Sequence, residues 1–287
     1  MWRQCVSAQG DINRAMPAFS TPSRARQPFG QPTRGKTAPN RLRKTDTFLA
    51  LAFPEFVRHM PGLYVDLGYG AYPVTSVETL ERLRRLNPAL GLLGVEIDPQ
   101  RVAEAQRFAR DRLEFRLGGF NLPLQAGERA GLIRAFNVLR QYDEGAVRDA
   151  LAALSASLTP GGLIIEGTCD PTGRLMTFNL FRKETALERS ALVFAPSLRA
   201  GFAPRQLQAV LPKNFVHHAG PGGPIDQFFA AWHKHWQAAR AHSRDLRQIF
   251  GQAARRLATH DGYAIDLRRT LLRRGFLILD KNWPHRP

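Results

Sequence analysis

The most chemically pointed stretch of the chain is Val65-Asp66-Leu67-Gly68-Tyr69-Gly70-Ala71-Tyr72-Pro73, an acid followed by two glycines spaced by one residue. An apolar strand-like run delivers Asp66, and a helix-period pattern follows, so the glycines fall on a strand-to-helix turn. Lacking a Cβ, glycine lets backbone amides approach a ligand closely. Glu96 ends the next apolar run, where a carboxylate can accept both hydroxyls of a ribose. It also reads as an acid at a helix N-terminus, favoured by the dipole. A nicotinamide fingerprint wants a third glycine, whereas this helix begins Ala71-Tyr72-Pro73-Val74-Thr75. An acid two residues before the first glycine sits poorly beside a pyrophosphate but suits a ligand that carries an ammonium group.

Those residues need a sheet to position them. Short apolar runs alternate with polar–apolar helical runs from residue 63 onward, the signature of a parallel sheet with helical crossovers. Strands are expected at 63–68, 92–97, 113–117, 132–136 and 163–167. Helices are expected at 74–87, from Asp98-Pro99 onward with proline in the first turn, and at 146–158, ended by Pro160-Gly161-Gly162. Residues 175–181 and 191–194 read as two further strands that can pair as a hairpin. From Pro224 the pattern is long helices. Ile225, Phe229, Trp232 and Trp236 form a stripe that must dock on another apolar face, a second amphipathic run covers 246–257, and the end is basic and then strand-like.

The ordered set Asp66-x-Gly68-x-Gly70, then Glu96, then Leu158-Thr159-Pro160-Gly161-Gly162-Leu163 closely resembles the class I S-adenosylmethionine-dependent methyltransferases over roughly residues 60–183. The resemblance implies a doubly wound, mostly parallel α/β sheet of Rossmann type, here with a helical C-terminal extension, and S-adenosylmethionine as cofactor. It implies methyl transfer by in-line displacement on a sulfonium that is already activated, so the protein works mainly by holding the nucleophile on the methyl axis. Asp66, Gly68 and Gly70 would line the methionine end, Glu96 would hold the ribose and Ile97 would pack on the adenine. After the third strand the family often has an acid for the adenine amino group. Here Phe120 and Asn121 stand there, Asn121 able to accept that hydrogen bond and Phe120 able either to cover the ring or to join the core. The Asn/Asp-Pro-Pro-aromatic segment of enzymes that methylate base amino groups is absent after the fourth strand, which disfavours that arrangement. Asn137 and Tyr142 stand where the family places acceptor-facing residues. Arg134 reads equally as an anchor for an anionic substrate and as the partner of a neighbouring acid.

The 287 residues carry 41 Lys and Arg against 24 Asp and Glu, a net charge of +17, and the excess is uneven. Residues 1–45, a Pro/Gly-rich arm expected to be disordered in part, carry +8. Residues 46–196, the expected cofactor-binding core, carry −1, and residues 197–287, the extension, carry +10. Clustered cations are an electrostatic footprint for nucleic acid, and equally the solvated face of an Arg-rich protein. The run from Lys36 to Asp46 leads into a helix that can anchor the arm to the core or clamp an anionic substrate. RNA is the leading expectation for the acceptor. A small metabolite, a non-catalytic RNA-binding protein on the same fold and a nicotinamide oxidoreductase are the alternatives. Two cysteines, Cys5 and Cys169, exclude a disulfide framework and fit a cytoplasmic setting. His217, His218, His233 and His235 lack the spacing of a metal cluster, so no metal is expected, and no apolar run has the length of a membrane span.

Overall fold

The computed structural model describes residues 27–199, 201–216 and 218–284. Cys5, His217 and the first 26 residues of the arm lie outside the described residues. In chain order the elements are α1 (Arg43–Ala52), α2 (Pro54–Arg58), β1 (Leu63–Leu67), α3 (Val74–Leu83), β2 (Leu92–Glu96), α4 (Pro99–Ala105), β3 (Leu113–Leu117), β4 (Ala130–Phe136), α5 (Glu144–Ser157), β5 (Leu158–Cys169), β6 (Met176–Lys183) and β7 (Leu187–Phe194). The extension adds α6 (Lys213–Val216), α7 (Pro224–Arg240), α8 (Leu246–Asp261), α9 (Arg269–Leu272) and β8 (Leu277–Asp280). Among the described residues no helix is long and apolar enough to cross a membrane.

Among the described residues one eight-stranded sheet runs in the order β3-β2-β1-β4-β5-β6-β7-β8. The pairs from β3 to β5 are parallel and those from β5 to β8 antiparallel. This is a doubly wound α/β fold. Helices cover both faces of the parallel half, so every residue of β2 and β4 is buried. Strand order reverses between β1 and β4, and ligands of such sheets bind in the crevice at the carboxyl ends of the strands there.

Local chemistry sets the helix starts. Asp98 accepts hydrogen bonds from the amides of Gln100 (2.9 Å) and Arg101 (3.3 Å), with Pro99 in the first turn of α4. Asp143 caps α5 through the amide of Ala146 (2.8 Å). The helix stops at Ser157, ahead of Pro160-Gly161-Gly162 as expected, but β5 begins already at Leu158 and takes in those three residues, with its register against β4 shifting between Ala130 and Leu132. The extension is helical, as its pattern implied, and also returns to the sheet: β8 pairs with β7, Leu277 opposite Phe194. Ile225, Phe229, Trp232 and Trp236 are all buried, packed with Phe194, Phe228 and Phe250 in one aromatic core.

Glu166 on β5 is buried, and one carboxylate oxygen accepts from the Asn179 amide at 2.8 Å. Burial pushes its pKa up from 4.5 to about 7, the Asn179 bond opposing the shift. Between those values the folded chain holds a proton that the unfolded chain has lost, so this group's contribution falls as pH rises through that window, by on the order of 3 kcal/mol. Glu166→Gln keeps an acceptor toward Asn179 and cannot ionise. Urea denaturation at pH 5 and pH 8 should therefore show a smaller loss at pH 8 in the variant than in the wild type. Equal losses would contradict the assignment.

Candidate functional site

The turn after β1 has two residues in left-handed backbone, Gly68 (φ 71°) and Gly70 (φ 90°), which explains why glycine stands at both. Gly68 donates to the Val95 carbonyl (2.7 Å), extending the ladder to β2. Glu96, buried at the end of β2, accepts from the Gly70 amide and from the Ile97 amide, both at 3.0 Å. The Arg101 guanidinium lies 3.7 Å away. Burial raises the Glu96 pKa against these bonds. The acid and the glycine turn thus form one hydrogen-bonded unit across adjacent strand ends.

Asp66 is committed to the interior. Arg134, on β4, binds it with both branches of its guanidinium, Nε to Oδ1 at 2.9 Å and Nη2 to Oδ2 at 2.7 Å. Ser76 adds a hydroxyl at 2.6 Å from α3. The third nitrogen, Nη1, donates to Asp46 (3.1 Å) and Thr79 (2.7 Å), and Arg82 binds the other oxygen of Asp46 at 2.8 Å. The Arg134 side chain is fully buried, so it is not a substrate residue. Of its two expected roles the structure shows the ion-pair partner, and the substrate role is corrected. The same pairing uses the carboxylate expected at the methionine end, although Asp66 still borders the cavity described next.

A cavity of about 440 Å³ opens beyond the turn, bordered by Gly68, Gly70, Asn137 and Cys169 and by cationic Arg34, Lys36 and Arg41. Asn137 follows β4 in left-handed backbone (φ 59°). Its carboxamide is held by Cys169, whose amide donates to Oδ1 at 3.1 Å and whose sulfur accepts from Nδ2 at 3.3 Å. Burial pushes the Cys169 thiol pKa up, so it stays protonated at neutral pH.

The other half of the crevice is filled by the chain itself. Residues 27–42 have no helix or strand, and the first nine lie across the ends of β1, β2 and β3. The Phe29 carbonyl accepts from the Phe120 amide (2.8 Å), and the Phe29 ring meets Phe120 edge-on at 5.4 Å. Asn121 accepts from the Phe29 amide (2.6 Å) and donates to the Gln27 carbonyl (2.9 Å). The Tyr142 hydroxyl accepts from the Gln31 amide, Arg101 donates to the Thr33 carbonyl (3.0 Å), and Ala71 donates to the Gly35 carbonyl (2.9 Å). About 20 Å³ remains free among Gly30, Ile97, Phe120 and Tyr142, room for one water and not for a purine. With this strap in place the nucleoside of the expected cofactor does not fit.

No protein-family model matches the chain, and no match was found among curated proteins. Among solved structures it is similar to the glycopeptide N-methyltransferase MtfA complexed with S-adenosylhomocysteine, at 17% identity and TM-score 0.34, covering 45% of this chain and 52% of that one. It is also similar to magnesium protoporphyrin IX methyltransferase ChlM from Synechocystis PCC 6803 (18%, TM-score 0.33, 45% and 54%). A third is the N-methyltransferase NodS from Bradyrhizobium japonicum WM9 (17%, TM-score 0.32, 44% and 60%). The chain spans between half and three-fifths of the length of these structures.

Gly68, Glu96, Ile97, Phe120 and Tyr142 line the part of the crevice that the strap fills, Asn121 is bonded to the strap, and Gly70 and Asn137 border the open cavity beyond. Sequence reasoning missed Asp46, Ser76 and Thr79 as partners of the Arg134 network, and Arg101 and Gly35 as cover for the turn. The expected anchor between Lys36 and Asp46 is present: the Asn40 amide donates to Glu78 (2.9 Å) and Arg41 to the Asp170 carbonyl (3.2 Å). His218 lies 3.6 Å from Glu144 and His235 2.5 Å from Asp261, and among the described residues no metal-holding group occurs.

Arg134→Met would leave Asp66 and Asp46 facing a thioether. We expect a loss of about 3–5 kcal/mol in urea denaturation, partly restored by Arg134→Met with Asp66→Asn. A loss below about 1 kcal/mol would show that the network is not structural in this sense.

Proposed function

We propose that this chain is an S-adenosylmethionine-dependent methyltransferase whose acceptor is anionic. The observation that carries the reading is the joined unit of Gly68, Gly70 and Glu96 at the carboxyl ends of β1 and β2, beside the point where strand order reverses. A carboxylate at that position recognises a ribose, and Asn121 offers an amide edge able to pair with adenine. The solved methyltransferases it resembles were captured with S-adenosylhomocysteine or act on a glycopeptide and a porphyrin, and their acceptors do not transfer to this chain.

The cofactor supplies a methyl group already activated on sulfur, so the chain's own task is to bind, orient and exclude water. Asn137 is the carboxamide best placed for orientation, because Cys169 fixes both ends of it. Lys36, Arg41 and Arg140 border the open cavity, whose one acid among the described residues, Asp66, is neutralised by Arg134. That balance favours a carboxylate- or phosphate-bearing acceptor.

RNA is the acceptor that the charge distribution supports. Besides the +10 of the extension, a cavity of about 240 Å³ between α8 and α9 is lined by Arg247, Arg255, Arg269 and Arg273. Among the described residues its one acid, Asp245, caps α8 through the Arg247 amide at 2.8 Å. Among the described residues none of these four guanidinium groups has an acidic partner, an arrangement suited to phosphates.

Three measurements test this. Calorimetry of the full chain with S-adenosylhomocysteine should show binding that Glu96→Ala weakens roughly tenfold or more. Equal affinity in both proteins would remove Glu96 from the site. With labelled cofactor, transfer into RNA should fall steeply between 50 and 200 mM salt, and Arg255→Glu with Arg273→Glu should lower RNA affinity roughly tenfold. Label entering small molecules alone, insensitive to salt, would replace RNA with a metabolite acceptor.

A further inference from the structure

We infer that residues 27–35 are an internal competitor for the nucleoside part of the cofactor, so that the strap must leave the cleft before the cofactor can bind. The inference rests on the cofactor reading above and adds its regulation.

The strap satisfies the groups that a nucleoside would otherwise meet. Asn121 uses one acceptor and one donor on the Phe29 amide and the Gln27 carbonyl. Adenine presents the same complement on its edge, an amino donor beside a ring-nitrogen acceptor. Phe29 supplies an aromatic face and edge against Phe120, and Gly30 lies against Ile97, Phe120 and the Tyr142 hydroxyl. At the turn, the Gly35 carbonyl accepts from Ala71 and lies so close that a Cβ on Gly70 would come within 2.9 Å of it. A Cβ on Gly119 would collide with the Phe29 carbonyl. Strap and purine cannot share this space.

The strap is also built to be exchangeable. It contacts the cleft almost entirely through backbone N–H and C=O groups, each of which water can satisfy once released. Its side chains Phe29, Gln31 and Arg34 are already exposed, and the apolar wall that its departure uncovers, Ile97, Phe120 and Tyr142, is the one that a purine would cover again. Beyond Gly35 the chain is fastened to the core by Asn40 and Arg41, which provides a fixed end about which the free part can swing. Gly30 (φ 139°) and Gly35 (φ 70°) hold conformations that other residues adopt only with strain. The bound form of the strap therefore depends on glycine at both positions.

The equilibrium between seated and released strap lowers apparent affinity by the fraction of molecules that are open. Substitutions confined to the strap should therefore raise affinity without touching the cleft walls. Two variants of the full chain serve: Phe29→Ala with Gly30→Val, and Gly35→Val, whose Cβ would press on the Arg101 guanidinium. Hydrogen exchange reports the strap directly, through the Phe29, Gln31 and Phe120 amides, and calorimetry with S-adenosylhomocysteine reports binding. The expected result is faster exchange at positions 29 and 31 in either variant, and also in the wild type when S-adenosylhomocysteine is added, with binding roughly tenfold tighter in the variants. Released strap with unchanged affinity would overturn the competition and leave the cofactor reading standing. Released strap with no binding in any of the three proteins would overturn the cofactor reading, and the competition with it. Binding to the wild type with Phe29 and Gln31 still protected would show that strap and ligand coexist, which also overturns the inference.

Discussion

The architecture of the cleft depends on one buried cation. Arg134 is the only charged residue in a seven-residue strand that is buried throughout, and it gathers Asp66 from β1, Asp46 from α1 and Thr79 from α3. Taking those charges out of water is costly, and the pairing stabilises the fold only because nearly every donor of the guanidinium finds an acceptor. Its geometry also has a positional effect. With Arg134 clamping Asp66 from β4 and Ser76 holding it from α3, the network ties the end of β1 to the start of α3. The glycine turn lies between those two points.

On that foundation the crevice divides into two environments. Glu96 and the amides of Gly70 and Ile97 form a polar corner covered by the strap, with Ile97, Phe120 and Tyr142 as its walls. Beyond Gly70 the crevice widens into an open cavity with cations on its rim and a rigid carboxamide, Asn137, on its floor. The strap belongs to both, since its first residues fill the polar corner and Arg34 and Lys36 reach the rim. Occupancy of the corner and the charge of the cavity are therefore linked through one segment of backbone.

Much of this was legible in the sequence, for identifiable reasons. The third strand falls at Leu113–Leu117 as expected, and Asp98-Pro99 caps α4, because alternation and capping are local properties. The glycine turn and Glu96 were found by spacing within one strand–turn–helix unit. The partner of Arg134 was left open, since Asp46 lies 88 residues away and nothing local distinguishes it from any helix-start acid. The strap was invisible for a different reason. Its contacts use backbone groups, which every residue possesses, so no side-chain pattern records them. The start of β5 is a third case: the helix stops before Pro160-Gly161-Gly162 as expected, but the strand begins already at Leu158, because the end of β4 pairs there across a bulge that no local pattern announces.

The corner built by Glu96, Ile97, Phe120 and Asn121, proposed above as a nucleoside site that the chain's own strap occupies, is open to a direct test. The most direct measurement is a crystal structure of the full chain grown with saturating S-adenosylhomocysteine. The expected structure has the ribose hydroxyls on Glu96, the adenine between Ile97 and Phe120 with its edge on Asn121, and residues 27–35 withdrawn from the crevice. Ligand density elsewhere on the molecule, or none with the strap still seated on Phe120 and Asn121, would contradict it.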